Sequence, residues 1–349
     1  MVTGTLLARD GHIVTILERD PGEPLATADL AWEAWERKGV TQFRLLHYLQ
    51  PRFRLEAERE LPEVLDEMEA LGAIRYGISR TSRAFTGGVR PGDEVFDSIT
   101  GRRPMIETAI ARVAARTEGL EIHRGVAVTA LEARDAGGGV PNVTGVRLDS
   151  GDVLAADLVL DASGRRSGID RLLEAVGARP SVTEQDDLGL VYFGRHFRSD
   201  DGTVPDLQGP ILANCGTIST LTLPADNGTY GLGILAAGSD KEMRALKDVG
   251  AWERVWRSIP LAEPWLRGTP IADGVAVMAN LPDRIAWSST TRPSPRASRS
   301  SPTRGRAPIR QSAAASRSGC SMHCACDASS PRPGQGTPMH SHSRSTPRR

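Results

Sequence analysis

Apolar and polar residues follow two different patterns along the chain. In the first 180 residues, apolar positions recur every three to four residues in some stretches and form short continuous runs in others. The predicted helices are residues 4–10, 56–72, 104–117 and 168–176, and the predicted strands are residues 12–17, 125–131, 143–148 and 153–160. Residues 187–271 alternate as antiparallel strands do. The pattern predicts an α/β chain that carries a second, antiparallel sheet.

The strand predicted at residues 12–17 closes on Glu18. In a dinucleotide-binding βαβ unit, an acid at the end of the second strand accepts the ribose hydroxyls of the nucleotide. Such a unit opens with a strand and a Gly-x-Gly-x-x-Gly loop, which lets a pyrophosphate approach a helix N-terminus. In this sequence the third glycine of that loop would fall immediately before Met1, so we expect the unit to be incomplete. The alternative for Glu18 is an ordinary surface acid after a strand.

A second candidate segment follows the apolar residues 158–160. There the sequence reads Asp-Ala-Ser-Gly-Arg-Arg-Ser, from Asp161 through Gly164 to Ser167. An acid and a glycine after a buried strand, followed by Arg165 and Arg166, fit an anionic ligand. The alternative is a plain strand-to-helix turn in which a side chain caps the next helix.

Taken in order, these features resemble the FAD-dependent monooxygenases of the aromatic hydroxylase type. The resemblance rests on the strand that ends at Glu18, Arg103 before a helix, a β-meander, and the segment from Asp161 to Ser167. It implies an incomplete, Rossmann-like FAD-binding domain of the glutathione-reductase type at residues 1–180, with a small insertion near 75–100. It also implies an interleaved antiparallel substrate sheet at residues 181–283.

The resemblance implies a set of residues that would bind FAD. Glu18 and Arg19 form the ribose-binding strand end, and Arg103 would reach a phosphate or the isoalloxazine edge. The other implied contacts are Arg44, on a predicted helix that also carries His47, the backbone of Val126 and Val128 near the adenine, and Asp161 and Gly164 near the pyrophosphate. Solvent exposure for the arginines, packing for His47 and burial in the core for the valines are the alternatives.

The family chemistry is carried by the cofactor, while the protein supplies binding, orientation and exclusion of water. The resemblance implies reduction by NADPH or NADH, reaction with O2 to a flavin hydroperoxide, and hydroxylation of a small organic substrate. The sequence itself identifies no catalytic residue. Two other hypotheses remain open: a noncatalytic remnant or binding module, and another flavoprotein of the same fold, either an isoprenoid reductase or a halogenase. Trp32 and Trp35 do not fit the Trp-x-Trp-x-Ile signature of halogenases.

Charge changes the picture of the C-terminal region. The 43 basic and 43 acidic residues cancel over the whole chain, but residues 284–349 carry a net charge of +11 and residues 1–283 carry −11. The C-terminal segment is rich in Arg, Ser and Pro and poor in apolar residues, so we expect it to be disordered. A frameshift between residues 283 and 287 would explain this composition, because the shifted frame permits an Ala-Asp-Ala motif, a glycine-bearing loop and an apolar helix. We therefore expect the chain to bind FAD poorly.

Cysteine content and hydropathy limit the compartment and the partners. Three of the four cysteines lie in the C-terminal segment, which leaves Cys215 and no disulfide framework, as is typical of a reducing cytoplasm. The tail cysteines match no common zinc spacing, so no metal is predicted. No apolar run approaches the roughly 18 residues of a membrane helix. The acidic body argues against a specific nucleic-acid partner.

Overall fold

The computed structural model describes residues 1–77, 87–135, 140–164, 167–178, 182–187, 189–206, 210–279 and 282–287. Residues 288–349, which make up most of the predicted disordered tail, lie outside the described residues, as do Arg165 and Arg166. Residues 284–287, which the sequence assigns to the tail, instead complete a strand. Arg284 pairs with Gln185 and Trp287 with Val182, and these antiparallel backbone contacts order the segment.

The helices predicted at residues 4–10, 56–72, 104–117 and 168–176 are present with shifted ends. The described α-helices are α1 (Val2–Arg9), α2 (Ala28–Ala34), α3 (Pro51–Glu60), α4 (Pro62–Ala70), α5 (Arg103–Ala115), α6 (Ile169–Ala175) and α7 (Val249–Arg257). The single helix predicted at residues 56–72 is divided between α3 and α4, because Pro62 has no N–H to continue a helix and begins a new one. None of the helices in this part of the chain is long and apolar enough to cross a bilayer.

The strands fall into several small sheets and one large one. They are β1 (Val14–Glu18), β2 (Ile74–Gly77), β3 (Asp97–Thr100), β4 (Leu120–Arg124), β5 (Val128–Asp135), β6 (Pro141–Leu148), β7 (Val153–Ala155), β8 (Val182–Asp187), β9 (Leu190–Arg198), β10 (Leu212–Asn214), β11 (Ile218–Pro224), β12 (Thr229–Ala237), β13 (Thr269–Pro270), β14 (Ala276–Met278) and β15 (Pro282–Trp287). The mixture confirms the predicted α/β class.

A parallel pair of strands positions the N-terminal part. β1 and β4 pair in register from Val14 and Leu120 to Glu18 and Arg124. Helices α1 and α5 contact this pair, and their small residues permit close packing. At Gly4 a Cβ atom would lie 2.9 Å from Cδ1 of Ile16, so a larger residue there would force the end of the Ile16 side chain to move. A larger buried core lies beside it, where α4 packs on α5.

The predicted antiparallel sheet is confirmed. Its strands run in the order β10–β11–β12–β9–β13, and β14 also pairs with β9. One face packs on α7 through a cluster of buried aromatic side chains, which includes Phe193, Phe197, Tyr230, Trp252 and Trp256. The other face is turned toward the N-terminal part, because Leu45 and Leu46 lie against it at Gly194.

The prediction of a buried strand across residues 153–160 is wrong. Only Val153–Ala155 forms a strand, which pairs with β6, and Leu158 and Leu160 are exposed in an irregular segment. An apolar run becomes a strand only where a neighbour accepts its backbone hydrogen bonds, and no described strand pairs with this segment. Similarly, the predicted strand at residues 125–131 is replaced by β5, which begins at Val128.

A buried ion pair fastens the large sheet to the N-terminal part. Asp226, in the turn between β11 and β12, accepts from Nε and Nη2 of Arg102 at 3.1 and 2.5 Å and from the Arg102 backbone N–H at 2.6 Å. Both side chains are at most 1% exposed. The next residue, Asn227, has a positive φ of 52° and donates from Nδ2 to the Leu71 carbonyl. The turn is therefore fixed from both sides.

Candidate functional site

Glu18 lies at the carboxyl end of β1, the edge at which parallel α/β sheets bind ligands. Its Oε1 accepts the backbone N–H of Asp20 at 3.0 Å, and its Oε2 accepts Nη2 of Arg37 at 2.8 Å. Its backbone carbonyl accepts the N–H of Val126 at 3.1 Å. A carboxylate offers about four acceptor positions, so Glu18 retains acceptor capacity for further donors.

Arg37 joins three carboxylates at this edge. Besides Glu18, its Nε donates to Asp20 at 3.0 Å and its Nη1 to Glu107 at 2.7 Å. The guanidinium also lies 5.5 Å from the centre of the Trp35 ring. Burial lowers the pKa of Arg37, but the three carboxylates outweigh that effect and the pKa is raised. Arg37 is therefore a permanent cation that offsets part of the negative charge around Glu18.

Arg103, the first residue of α5, connects these carboxylates to His47. Its Nε donates to Glu107 at 2.5 Å, and its Nη1 lies 3.2 Å from Nε2 of His47. Burial, and after it the charge of Arg103, lowers the pKa of His47 to about 4, so this imidazole is neutral near pH 7. We refer to five residues as the edge cluster: Glu18, Asp20, Arg37, Arg103 and Glu107.

The N-terminal end of α1 lies at the same edge. Met1, the residue before α1, lies within electrostatic range of Glu18, Glu107 and Arg37. The positive end of the helix dipole and a ribose-type acid therefore stand side by side, as in the dinucleotide-binding units discussed above.

The prediction that Arg44 lies on a helix is wrong, because residues 41–50 form turns and irregular structure. Nη2 of Arg44 is 3.4 Å from the carbonyls of Glu33 and Trp35, at the long limit of a hydrogen bond. Its guanidinium lies 5.7 Å from the centre of the Trp32 ring, and that of Arg102 lies 5.4 Å from the same ring. Trp32 thus contacts both cations.

Tertiary packing explains why this segment is not helical. Leu45 and Leu46 lie on three glycines of the large sheet, in β9 and β12. A Cβ at Gly194 would come within 3.0 Å of both leucines, a Cβ at Gly231 would overlap Leu46, and one at Gly233 would just touch it. The glycines leave a shallow depression that the extended leucine segment fills. Arg44 and His47, whose spacing of three residues suggested one helix face, flank this contact.

His196, on β9, faces the N-terminal part beside Trp32. The two ring centres are 4.7 Å apart. Burial, followed by the charges of Arg102 and His47, lowers the pKa of His196 to about 3. A second neutral imidazole therefore lies at the junction between the large sheet and the helices.

The remaining predicted contacts lie in different places. Arg19 is exposed beside Glu18, and Val128 is about one-third exposed at the start of β5. Asp161 accepts the N–H of Ser163 at 3.0 Å and the hydroxyls of Ser163 and Ser167. These bonds within its own loop match the turn alternative, and the geometry does not bring Asp161 into the edge cluster. Gly164 has a φ of 77°, a conformation that favours glycine in this turn.

Sequence reasoning missed Arg37 and Glu107. The spacing of Arg103 and Glu107, four residues apart on one helix face, is a signal that could have identified Glu107. No such signal marks Arg37, which lies 19 residues from Glu18 and 70 from Glu107. In the described part of the chain, no group of three His, Cys, Asp or Glu residues is arranged to hold a metal ion.

Two cavities lie away from the edge cluster. One of about 520 Å³ is lined by Arg9, Ile13 and Arg116, at the opposite end of β1 from Glu18. The other, of about 370 Å³, lies beside Phe193 and Met243, on the face of the large sheet that packs on α7. Neither contains a residue of the edge cluster.

Comparison with known proteins places this arrangement in a known fold. No family model matches the chain. Protein Rv3254 of Mycobacterium tuberculosis is 27% identical over 277 residues, and the match covers 72% of this chain and 55% of that protein. Among solved structures, the myxobacterial chondrochloren halogenase CndH, an FAD-dependent halogenase, superposes with a TM-score of 0.54 at 17% identity, over 81% of this chain and 61% of its own. The chain shares its fold with this FAD-dependent halogenase.

Two further structures agree with this assignment. The flavin-dependent halogenase CmlS has a TM-score of 0.53 at 16% identity, with 82% of this chain and 48% of that chain covered. 2-Methyl-3-hydroxypyridine-5-carboxylic acid oxygenase has a TM-score of 0.50 at 13% identity, with 82% and 68% covered. The chain therefore spans about half the length of CmlS and of the mycobacterial relative. At these identities the likeness establishes the fold, and the chemistry has to be argued from the site.

Proposed function

We propose that the chain is an FAD-dependent oxidoreductase of the monooxygenase type, with NADPH or NADH as reductant, O2 as co-substrate and a small organic molecule as substrate. The observation that carries the proposal is the position of Glu18. It lies at the carboxyl end of a parallel strand, beside a helix N-terminus, in a fold shared with FAD-dependent enzymes.

The edge cluster fits the adenosine diphosphate half of FAD. Glu18 has acceptor capacity left for the two ribose hydroxyls. The diphosphate would lie at the start of α1, where unpaired backbone N–H groups favour an anion. Arg103 is half-buried at this edge and uses Nε and Nη1 on Glu107 and His47, while its Nη2 has no partner among the described residues. That nitrogen is a donor suited to a phosphate or flavin oxygen.

In this proposal FAD supplies the redox chemistry, and the protein binds, orients and shields it. Glu18 orients the ribose, and Arg37 keeps the acidic edge from repelling a diphosphate. His47 and His196 are neutral near pH 7, so neither adds positive charge at the junction with the large sheet. The large sheet would cover the substrate, as the sequence resemblance implies.

FAD binding tests the proposal directly. The unaltered chain is titrated with FAD, with quenching of flavin fluorescence as the signal, and Glu18→Gln is compared with Glu121→Gln. Glu121 lies on the neighbouring strand β4 with its side chain 77% exposed, which makes it a matched control. Loss of one charged hydrogen-bond partner is expected to weaken FAD binding about 10-fold in Glu18→Gln and to leave Glu121→Gln unchanged. The dissociation constant of the unaltered chain also measures the weak binding expected from the sequence.

A second measurement addresses the reductant and the oxidant. The FAD-loaded protein is mixed with NADPH or NADH in air, and the oxidation of the nicotinamide and the uptake of O2 are followed together. We expect the FAD-loaded protein to consume both the reduced nicotinamide and O2, and the protein without FAD to consume neither. If FAD shows no saturable binding, or binds equally well to the Glu18→Gln variant, the proposed function is wrong.

A further inference from the structure

His47 makes one specific contact through each ring nitrogen. Nδ1 lies 2.9 Å from the Leu45 carbonyl, which only accepts hydrogen bonds, and Nε2 lies 3.2 Å from Nη1 of Arg103, which only donates. The two contacts together require the tautomer that is protonated on Nδ1 and has a lone pair on Nε2. The imidazole therefore donates a hydrogen bond to the Leu45 carbonyl and accepts one from the Arg103 guanidinium.

The backbone that holds His47 is itself fixed by packing. Leu45 and Leu46 are at most 8% exposed and rest on Gly194 and Gly231 of the large sheet. The carbonyl that accepts Nδ1–H thus belongs to a segment with little freedom to shift. Thr100 adds a weaker contact, from its hydroxyl to the His47 carbonyl at 3.5 Å. His47 projects from a rigid support toward the start of α5.

The guanidinium of Arg103 is held at two of its nitrogens. Glu107 accepts from Nε and His47 accepts from Nη1, which fixes the plane of the guanidinium and leaves Nη2 without a partner among the described residues. Glu107 is bound in turn by Arg37, which also binds Glu18. Without His47, Arg103 would keep only the contact four residues along its own helix, and such pairs restrain a long side chain weakly.

We propose that His47 is a positioning residue of the cofactor site, which fixes the guanidinium of Arg103 toward the anionic or carbonyl groups of FAD through the Nε2 hydrogen bond. This inference rests on the proposed function for the identity of the ligand. The contact between His47 and Arg103 does not depend on it. His47 itself touches no reacting atom in this scheme.

The tautomer is measured first, by nitrogen-15 NMR of histidine-labelled protein without cofactor. The expected spectrum shows His47 protonated on Nδ1 with Nε2 accepting a hydrogen bond. Arg103→Gln is expected to raise the pKa of His47, because the charge of Arg103 is one of the two causes that lower it. A spectrum with the proton on Nε2, or an unchanged pKa in Arg103→Gln, would overturn the inference whether or not FAD binds.

FAD affinity is then compared in His47→Leu, His47→Gln, Arg103→Gln and the double variant His47→Leu/Arg103→Gln. His123→Leu, at a half-exposed site on β4, is the matched control, and thermal melting shows that each variant is folded. Loss of the hydrogen bond is expected to weaken FAD binding about 5- to 10-fold in His47→Leu. His47→Gln restores most of the affinity, because its amide oxygen can accept from Arg103. In the Arg103→Gln background, His47→Leu adds no further loss.

An equal loss from His47→Leu in both backgrounds would show a merely structural role and would refute the inference. If the unaltered chain binds no FAD, the proposed function fails. The tautomer and pKa of His47 measured by NMR then still test whether His47 is hydrogen-bonded to Arg103.

Discussion

Replacing Asp226 with Asn should be among the most damaging single substitutions in the chain. Asp226 is completely buried, and three donor atoms of Arg102 lie 2.5 to 3.2 Å from its carboxylate. Asn keeps the size of the side chain but removes the charge and turns one acceptor into a donor that faces the guanidinium. Arg102 is then left buried with a single remaining carboxylate, Asp29.

The magnitude follows from the cost of a buried charge that loses its partner, about 3–5 kcal/mol. An arginine guanidinium does not lose its proton in proteins, so Arg102 stays charged and buried when Asp226 is replaced. Because Asp29 still contacts Nη2 at 2.7 Å, the lower end of the range applies. We expect the free energy of unfolding to fall by about 3 kcal/mol.

The assay is equilibrium unfolding in urea, followed by tryptophan fluorescence, since the Trp32 ring lies against Arg102. Asp29→Asn is the matched control. Its side chain is 43% exposed, so its loss should cost at most about 1 kcal/mol. A double variant, Arg102→Met/Asp226→Asn, should cost less than the sum of its parts, because it removes the buried charge as well. A change of less than about 0.5 kcal/mol in Asp226→Asn, the range of ordinary surface substitutions, would refute the reasoning.

Two further predictions concern packing and pH. Gly231→Ala should destabilise the fold by about 1–3 kcal/mol through overpacking against Leu46. Gly168→Ala is the control and should change the stability little, because a Cβ there meets nothing within 4 Å. The urea midpoints of the two variants measure this difference, and equal midpoints would contradict the prediction. Because the pKa of His47 is about 4 in the folded chain and about 6.5 when unfolded, the unfolded state binds a proton first as the pH falls. The free energy of unfolding should therefore drop between pH 6.5 and 4, by up to about 3 kcal/mol from His47. In His47→Gln this contribution to the pH dependence of stability should be absent. Parallel curves of stability against pH for the two proteins would refute the low pKa of His47.

Local patterns predicted the elements well where they were long and regular. Helix α5 follows its apolar spacing and begins at Arg103, within one residue of the predicted start, and Glu18 ends its strand as expected. The errors arose where a distant part of the chain decides the conformation. Arg44 and His47, three residues apart, suggested one face of a helix, but Leu45 and Leu46 between them pack on the glycines of the large sheet, a tertiary contact that overrides local propensity.

The site was predictable only in part for a related reason. An acid at the end of a strand is a local signal, and Glu18 does end its strand, while its role in binding FAD stays a prediction. The partner of that acid, Arg37, is one of many arginines in the sequence, and nothing in the neighbouring residues distinguishes it. Its role follows from a fold that brings the loop after α2, the end of β1 and the face of α5 to one place.

The turn that carries Asp226 also constrains when the chain can fold during synthesis. Its ion pair with Arg102 joins residues 124 positions apart. Until the ribosome has released residue 226, the start of α5 holds a cation without its main partner, and the leucine segment has no glycine surface to cover. Long-range contacts of this kind slow folding, because the loop must close before they form. The contacts that join the N-terminal helices to the large sheet should therefore form only after that sheet has emerged.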